Sequence, residues 1–287
     1  MSSQIMLYTG PGTSPLCSEA LQDQIQSIVD DRIYSIRPIT QFSDLFLDPN
    51  SIKSFFFPGG HVGSILSRTP INTIKPVFDI LKKHHISYYG SCAGGMLATE
   101  NLFLRVSSSN FINGFSTRGH SLLGALPCDA IAPLFPVTTS LEDFHLVTVQ
   151  SHENSIPVPH IQGPAYLNLQ IDNPAVKILT TYNEVLPPSS FVKFHGPGDF
   201  RLDSKINPAT FFDSALYHPE DAPPILITST HPEIDSTKIL SERFKESFGA
   251  TRVELEKLSE QMSTSDVARR TLFTGHLKKL SIVCKPD

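Results

Sequence analysis

Ile86-Ser87-Tyr88-Tyr89-Gly90-Ser91-Cys92-Ala93-Gly94-Gly95-Met96 is the stretch whose reading decides the fold. Ile86 to Tyr89 is a short apolar run of strand-forming residues, broken sharply at Gly90 to Gly95. Met96 to Leu102 reads as the helix that follows. Gly90, Cys92 and Gly94 make the Gly-x-Cys-x-Gly pattern of a nucleophile elbow, a strained strand-to-helix turn at which small neighbours let the backbones approach. A thiol placed there sits at a helix N-terminus, which favours the thiolate, and the amide of Ala93 is aimed at a developing oxyanion. The plainer reading is a small buried cysteine in a glycine turn.

Upstream the same strand, turn and helix recur. Ile5 to Tyr8 is a short strand that runs into Thr9-Gly10-Pro11-Gly12-Thr13. Leu16, Ala20, Leu21, Ile25 and Ile28 then recur at helical spacing, with Ser14 as N-cap and Pro15 at the first helical position. Ser54 to Phe57 is an apolar run stopped by Pro58-Gly59-Gly60, and Ile71, Ile74, Val77, Phe78 and Leu81 predict a helix from Thr69 to Lys83. Short strands alternating with helices predict an α/β fold, a mainly parallel sheet with helices on both faces.

Downstream, residues 107 to 165 are rich in Ser, Gly and Pro. His145 to Gln150, Ile156 to Ile161 and Val176 to Tyr182 read as strands of an antiparallel extension. Val192 to His195 is a further candidate strand, and Asn207 to Pro224 reads as loop. Ile225 to Thr228 is a compact strand that ends at Ser229-Thr230-His231-Pro232-Glu233. Beyond it the chain turns helical and charged through Lys238–Phe248, Arg252–Met262 and Ser265–Leu280, a C-terminal helical layer. With no internal repeat and no long flexible linker, one domain over 1–287 is expected, with a core at 1–235 and a helical extension at 236–287.

A thiol nucleophile needs a base, and the base needs an orienting group. Of the 11 histidines, most, including His84, His85 and His276, fall in charged helical stretches and read as solvated. His231 directly follows a buried strand, and Glu233 stands two residues on, so both side chains can project to one side of a turning segment. The carboxylate would hold the imidazole tautomer while His231 takes the Cys92 proton. Gly59 and Gly60 end another strand and either offer an amide to the oxyanion or simply make a turn. Gly10, Pro11, Gly12 and Thr13 likewise read equally as a ligand loop before a helix or as a plain tight turn.

Composition narrows the rest. The chain has 287 residues and is 40% hydrophobic, enough for a substantial core. Its formal net charge of −5 argues against a nucleic-acid partner. The 4 cysteines, Cys17, Cys92, Cys128 and Cys284, form no CxxC pair, so neither a zinc cage nor a disulfide framework is expected, and a reducing compartment fits. No metal or cofactor is expected. MSSQIMLYTGPG has no basic region and only a short apolar run, and nothing approaches the ~18 apolar residues of a membrane span. A cytoplasmic protein with no membrane association is the expectation.

The Gly-Ser-Cys-Ala-Gly-Gly elbow, followed much later by Thr-His-Pro-Glu, resembles class I glutamine amidotransferases in chain order and in His-x-Glu spacing. Six blocks in order resemble the N-terminal domain of eukaryotic-type biotin-protein ligases. They are Tyr8 to Thr13, Phe57 to Gly60, Gly90 to Gly95, Gly163-Pro164-Ala165-Tyr166, Ile178 to Tyr182 and Thr230 to Glu233. The resemblance implies a flavodoxin-like sheet and Cys92, His231 and Glu233 as a triad that attacks a small-molecule amide or ester. It also implies, as the alternative, a binding module for a biotin ligase or a biotin-dependent carboxylase. No segment resembles the biotinyl-adenylate loop of the ligases, so biotin ligation by this chain is not expected. Working amidotransferases commonly carry glutamine where this chain has Met96, a departure from the pattern that bears on glutamine hydrolysis.

Overall fold

Glycine-broken apolar runs at three places become the parallel centre of one sheet. The computed structural model describes residues 3–69, 71–104, 125–132, 140–151, 154–167, 173–183 and 211–286. In chain order these form β1 (Ser3–Tyr8), α1 (Pro15–Ile28), β2 (Tyr34–Ile39), β3 (Ile52–Phe57), α2 (Val62–Arg68), α3 (Ile71–Lys83), β4 (Ser87–Ser91), α4 (Ala93–Ala98), β5 (Thr99–Leu104) and β6 (Leu126–Ala132). They continue as β7 (Phe144–Ser151), β8 (Asn154–Ile161), β9 (Ala165–Leu167), β10 (Val176–Tyr182), β11 (Phe212–Tyr217), β12 (Ile225–Thr228), α5 (Ser236–Ile239), α6 (Glu242–Phe248), α7 (Arg252–Ser263) and α8 (Asp266–Lys279).

The sheet order is β2-β1-β3-β4-β12-β11-β10-β7-β8. Its first five strands pair in parallel, which is the doubly wound flavodoxin order. The remaining pairs along this path are antiparallel, as the strand pattern after Phe144 predicts.

Strand β3 shows why the parallel part must be covered twice. Phe55 and Phe57 pack into a core with Tyr8, Phe42, Ile74, Val77 and Leu81, while Phe56 points to the opposite core with Ile5, Leu7, Leu21, Ile25 and Phe273. All three rings are fully buried, each stabilising the fold by about 2–3 kcal/mol. Tyr8 stacks on Phe42 and Phe57 with centroids 4.5 and 4.7 Å apart.

Helix α1 begins as its sequence predicts, with Ser14 accepting from the Cys17 amide and Pro15 in the first turn. Helix α8 contributes Phe273 and Leu277 to the core shared with β1 and β3, so it covers the sheet beside α1. Helices α6 and α7 pack Phe244, Phe248, Leu255 and Met262 in a third cluster with Leu16, Ala20 and Phe144.

Several readings are corrected. The segment Met96 to Leu102 is not one helix: α4 stops at Ala98, Thr99 Oγ1 donates to the Met96 carbonyl at 2.8 Å, and the chain continues as β5. The segment Asn207 to Pro224 is not all loop, because Phe212–Tyr217 is the buried strand β11 between β12 and β10. Strand β2 and helix α2 went unread. His276 is 2% exposed rather than solvated, because it lies on the inner face of α8 among Phe273, Leu277 and Tyr89. The candidate strand Val192 to His195 lies outside the described residues, as do 207–210.

No helix among the described residues is long and apolar enough to cross a membrane. None of the four cysteines forms a disulfide among the described residues. The described residues contain no His, Cys, Asp and Glu group suited to a metal.

Candidate active site

The carboxyl ends of β1, β3, β4 and β12 deliver every candidate residue to one edge of the sheet, where open parallel sheets bind ligands. Cys92 follows β4 directly, at φ 48° and ψ −109°, a conformation that non-glycine residues rarely adopt. The strain is held from both sides. The Cys92 amide donates to the Thr228 carbonyl at 2.8 Å, and its carbonyl accepts from Met96 at 3.0 Å. The glycines of the motif permit the close approach: a Cβ at Gly94 would lie 2.2 Å from the Phe57 carbonyl oxygen, and one at Gly90 2.6 Å from Gly94.

His231 and Glu233 enter from the turn after β12. His231 Nδ1 and Glu233 Oε1 are 2.9 Å apart, and both side chains are 0% exposed. The second ring nitrogen, Nε2, has no hydrogen-bonding partner of normal geometry among the described residues. Burial pushes the His231 pKa down, but Cys17, Glu233 and Cys92 around the ring outweigh it and hold the imidazole well above its ordinary value. The Cys92 thiol is 3% exposed and donates to the Ile161 carbonyl at 3.8 Å.

Gly59 lies directly under this imidazole: a Cβ there would be 2.5 Å from Cε1 and 3.3 Å from Nε2. Gly60 pairs with Thr13 in an isolated bridge. Outside the helices and strands, no backbone hydrogen bond among the described residues takes up the amide of Gly59, Gly60 or Ala93.

The loop Gly10 to Thr13 lies beside the site and lines a cavity of ≈ 620 Å³ with Ser18, Glu19 and Thr40. Two amides at its end are already spent, Thr13 on the Gly10 carbonyl at 3.2 Å and Ser14 on that of Gly59 at 2.9 Å. The loop therefore ties α1 to the Gly59 turn.

Sequence reasoning missed three contributors. Ser91 Oγ donates to Glu233 Oε1 at 3.2 Å, so the residue between Gly90 and Cys92 positions the carboxylate. Cys17, in the first turn of α1, places its sulfur 3.0 Å from where a Gly59 Cβ would stand. Asp213 on β11 accepts from the Thr230 amide at 3.0 Å, from Ser229 at 2.8 Å and from Thr180 at 2.7 Å, which pins the turn that carries His231. A motif search finds none of them; only the Ser91 position, inside the elbow, offered a signal.

Neither a protein-family model nor a curated protein sequence matches the chain. Solved structures do. A glutamine amidotransferase structure is 13% identical, with 89% of this chain and 98% of that one covered and a TM-score of 0.47. The glutamine amido transferase from Methylobacillus flagellatus is 9% identical, with 100% of this chain and 97% of that one covered and a TM-score of 0.51. Together with the strand order, the second likeness establishes that this chain has a glutamine amidotransferase-like α/β fold.

Proposed function

We propose that the protein is a cysteine-dependent hydrolase or transferase that cleaves an amide or ester through a thioester at Cys92. The observation that carries this reading is the oriented imidazole, with Nδ1 held by Glu233 and the ring interacting with the thiol of a strained elbow.

His231 would take the Cys92 proton at Nε2 as the sulfur attacks the acyl carbon, then deliver it to the departing amine or alcohol. The amides of Ala93, Gly59 and Gly60 would face the oxyanion. Water, deprotonated by the same nitrogen, would release the acid and restore the thiol. Glu233 keeps the proton-bearing nitrogen turned away from sulfur and stabilises the imidazolium formed in both steps. Met96 is a reason to screen amides and esters broadly rather than glutamine alone.

The test is the pH dependence of Cys92 alkylation by iodoacetamide, followed by mass spectrometry in the wild type and in His231→Ala. The expected result is reaction well below the ~8.5 of free cysteine, with the low-pH reactivity lost in the variant. A Cys92 that is inert, or indifferent to His231, would overturn the enzyme reading. It would leave the binding-module alternative, to be tested by capture of a biotin ligase or biotin-dependent carboxylase.

A further inference from the structure

Two thiols, not one, interact with the His231 ring. Cys17 is 4% exposed on the first turn of α1, and Cys92 is 3% exposed on the elbow. Glu233 occupies Nδ1, and both thiols interact with the ring. The placement of Cys17 is fixed independently by Gly59, whose added Cβ would lie 3.0 Å from the Cys17 sulfur and 3.3 Å from His231 Nε2. The sulfur and the nitrogen thus converge over one glycine. Nε2 is fully buried and lacks a partner of normal geometry among the described residues. The acyl-transfer cycle uses Cys92 alone and leaves Cys17 without a role.

We propose that Cys17 is the resolving thiol of Cys92, and that hydrogen peroxide converts the two into a reversible intramolecular disulfide that switches the site off. This rests on the Cys92–His231 pairing proposed above, because only a thiolate at Cys92 accepts oxygen readily. In the first step His231 Nε2 takes the Cys92 proton and the sulfur attacks one peroxide oxygen. The O–O bond breaks, the sulfur is oxidised to the sulfenic acid, and the hydroxide released takes the proton from His231 to leave as water. In the second step Nε2 takes the Cys17 proton and the Cys17 sulfur attacks that of Cys92. The S–S bond forms, the S–O bond breaks, and the hydroxide again leaves as water with the proton from His231. One peroxide is reduced to two waters as two thiols become one disulfide. The imidazole that serves acyl transfer serves both steps, so no further base is needed. Formation of the bond seals the nucleophile against irreversible oxidation to the sulfinic acid.

The experiment treats the full chain with hydrogen peroxide, blocks remaining thiols with iodoacetamide and maps peptides without reduction. A Cys17–Cys92 linked peptide is expected, with alkylation of Cys92 restored by dithiothreitol. In Cys17→Ser, whose folding is checked by circular dichroism, the link is lost and Cys92 advances to the sulfinic acid, so recovery falls about ten-fold or more. Equal over-oxidation of Cys92 in both proteins would overturn the proposal, as would linkage of Cys92 to Cys128, Cys284 or a second chain. If Cys92 alkylates in a His231-dependent way yet no link to Cys17 forms, the resolving role alone fails. If Cys92 is inert to both reagents, the pairing fails with it.

Discussion

At the scale of single residues, the site is a relay of partners that each fix the next. Ser91 donates to Glu233, Glu233 accepts from Nδ1 of His231, and the His231 ring interacts with both thiols. The order of the relay sets the expected order of damage. His231→Ala should abolish the low-pH reactivity proposed for Cys92. Glu233→Gln keeps the shape but removes the charge that stabilises imidazolium, and should slow alkylation at neutral pH about ten-fold. Ser91→Ala removes one hydrogen bond to a group that keeps its histidine partner. It should cost about 1 kcal/mol of stability and slow alkylation only about three-fold. Alkylation rates of the three variants at one pH check the ranking, and an unchanged rate in Glu233→Gln would break it. Cys92, His231 and Glu233 stood out in the sequence because a thiol between glycines and a His-x-Glu pair are local patterns. Cys17 was not, because nothing local marks a cysteine in a first helical turn; only the fold brings α1 against the Gly59 turn.

At the scale of elements, the readings that held were those in which pattern and burial agree. Strands β3 and β12 are short apolar runs, and α1 carries its cap and its proline where the helix starts. Strand β11 was misread because its middle, Asp213-Ser214, is polar, and polar residues in mid-strand argue for loop. The structure resolves this by pairing polar groups across strands: Thr180 lies 2.7 Å from Asp213 and 2.5 Å from Ser214, and Ser229 and the Thr230 amide complete the carboxylate. The β5 error has a different cause, since α4 runs only to Ala98 before Thr99 turns the chain, and six residues do not show a helical period. Asp213 gives the element-scale prediction. Asp213→Ala would strand several buried donors at once and should destabilise the protein by about 3–4 kcal/mol, read from urea unfolding. Asp213→Asn keeps one acceptor oxygen and the side-chain volume, and should cost less than half as much. Equal losses for the two variants would show that volume rather than hydrogen bonding holds the turn.

At the scale of the whole molecule, the C-terminal helices complete the sheet's covering, which residue-level reading alone could not decide. A charged amphipathic helix looks the same whether it docks on its own sheet or on another chain. What marks α8 is the buried stripe of Phe273, His276 and Leu277, continued by Leu280 at its C-cap, with His276 packed beside the Tyr89 ring at 6.2 Å. Neither nitrogen of His276 has a protein partner among the described residues, and burial drives its pKa down to about 3. Burial likewise drives His160, under the His231 turn, down to about 3. Both are therefore neutral in the folded protein where an unfolded histidine, at ~6.5, already takes up a proton. The unfolded state then binds more protons, so stability falls as pH drops from ~6.5 toward ~3, by about 1.4 kcal/mol per pH unit for each histidine. His276→Leu removes one of these contributions together with two unpaired nitrogens. The variant should match the wild type within about 1 kcal/mol at neutral pH and lose stability more slowly on acidification, by that same slope. Urea midpoints measured between neutral pH and about pH 4 read both effects, and parallel acid limbs in the two proteins would mean that His276 already carries a proton when folded.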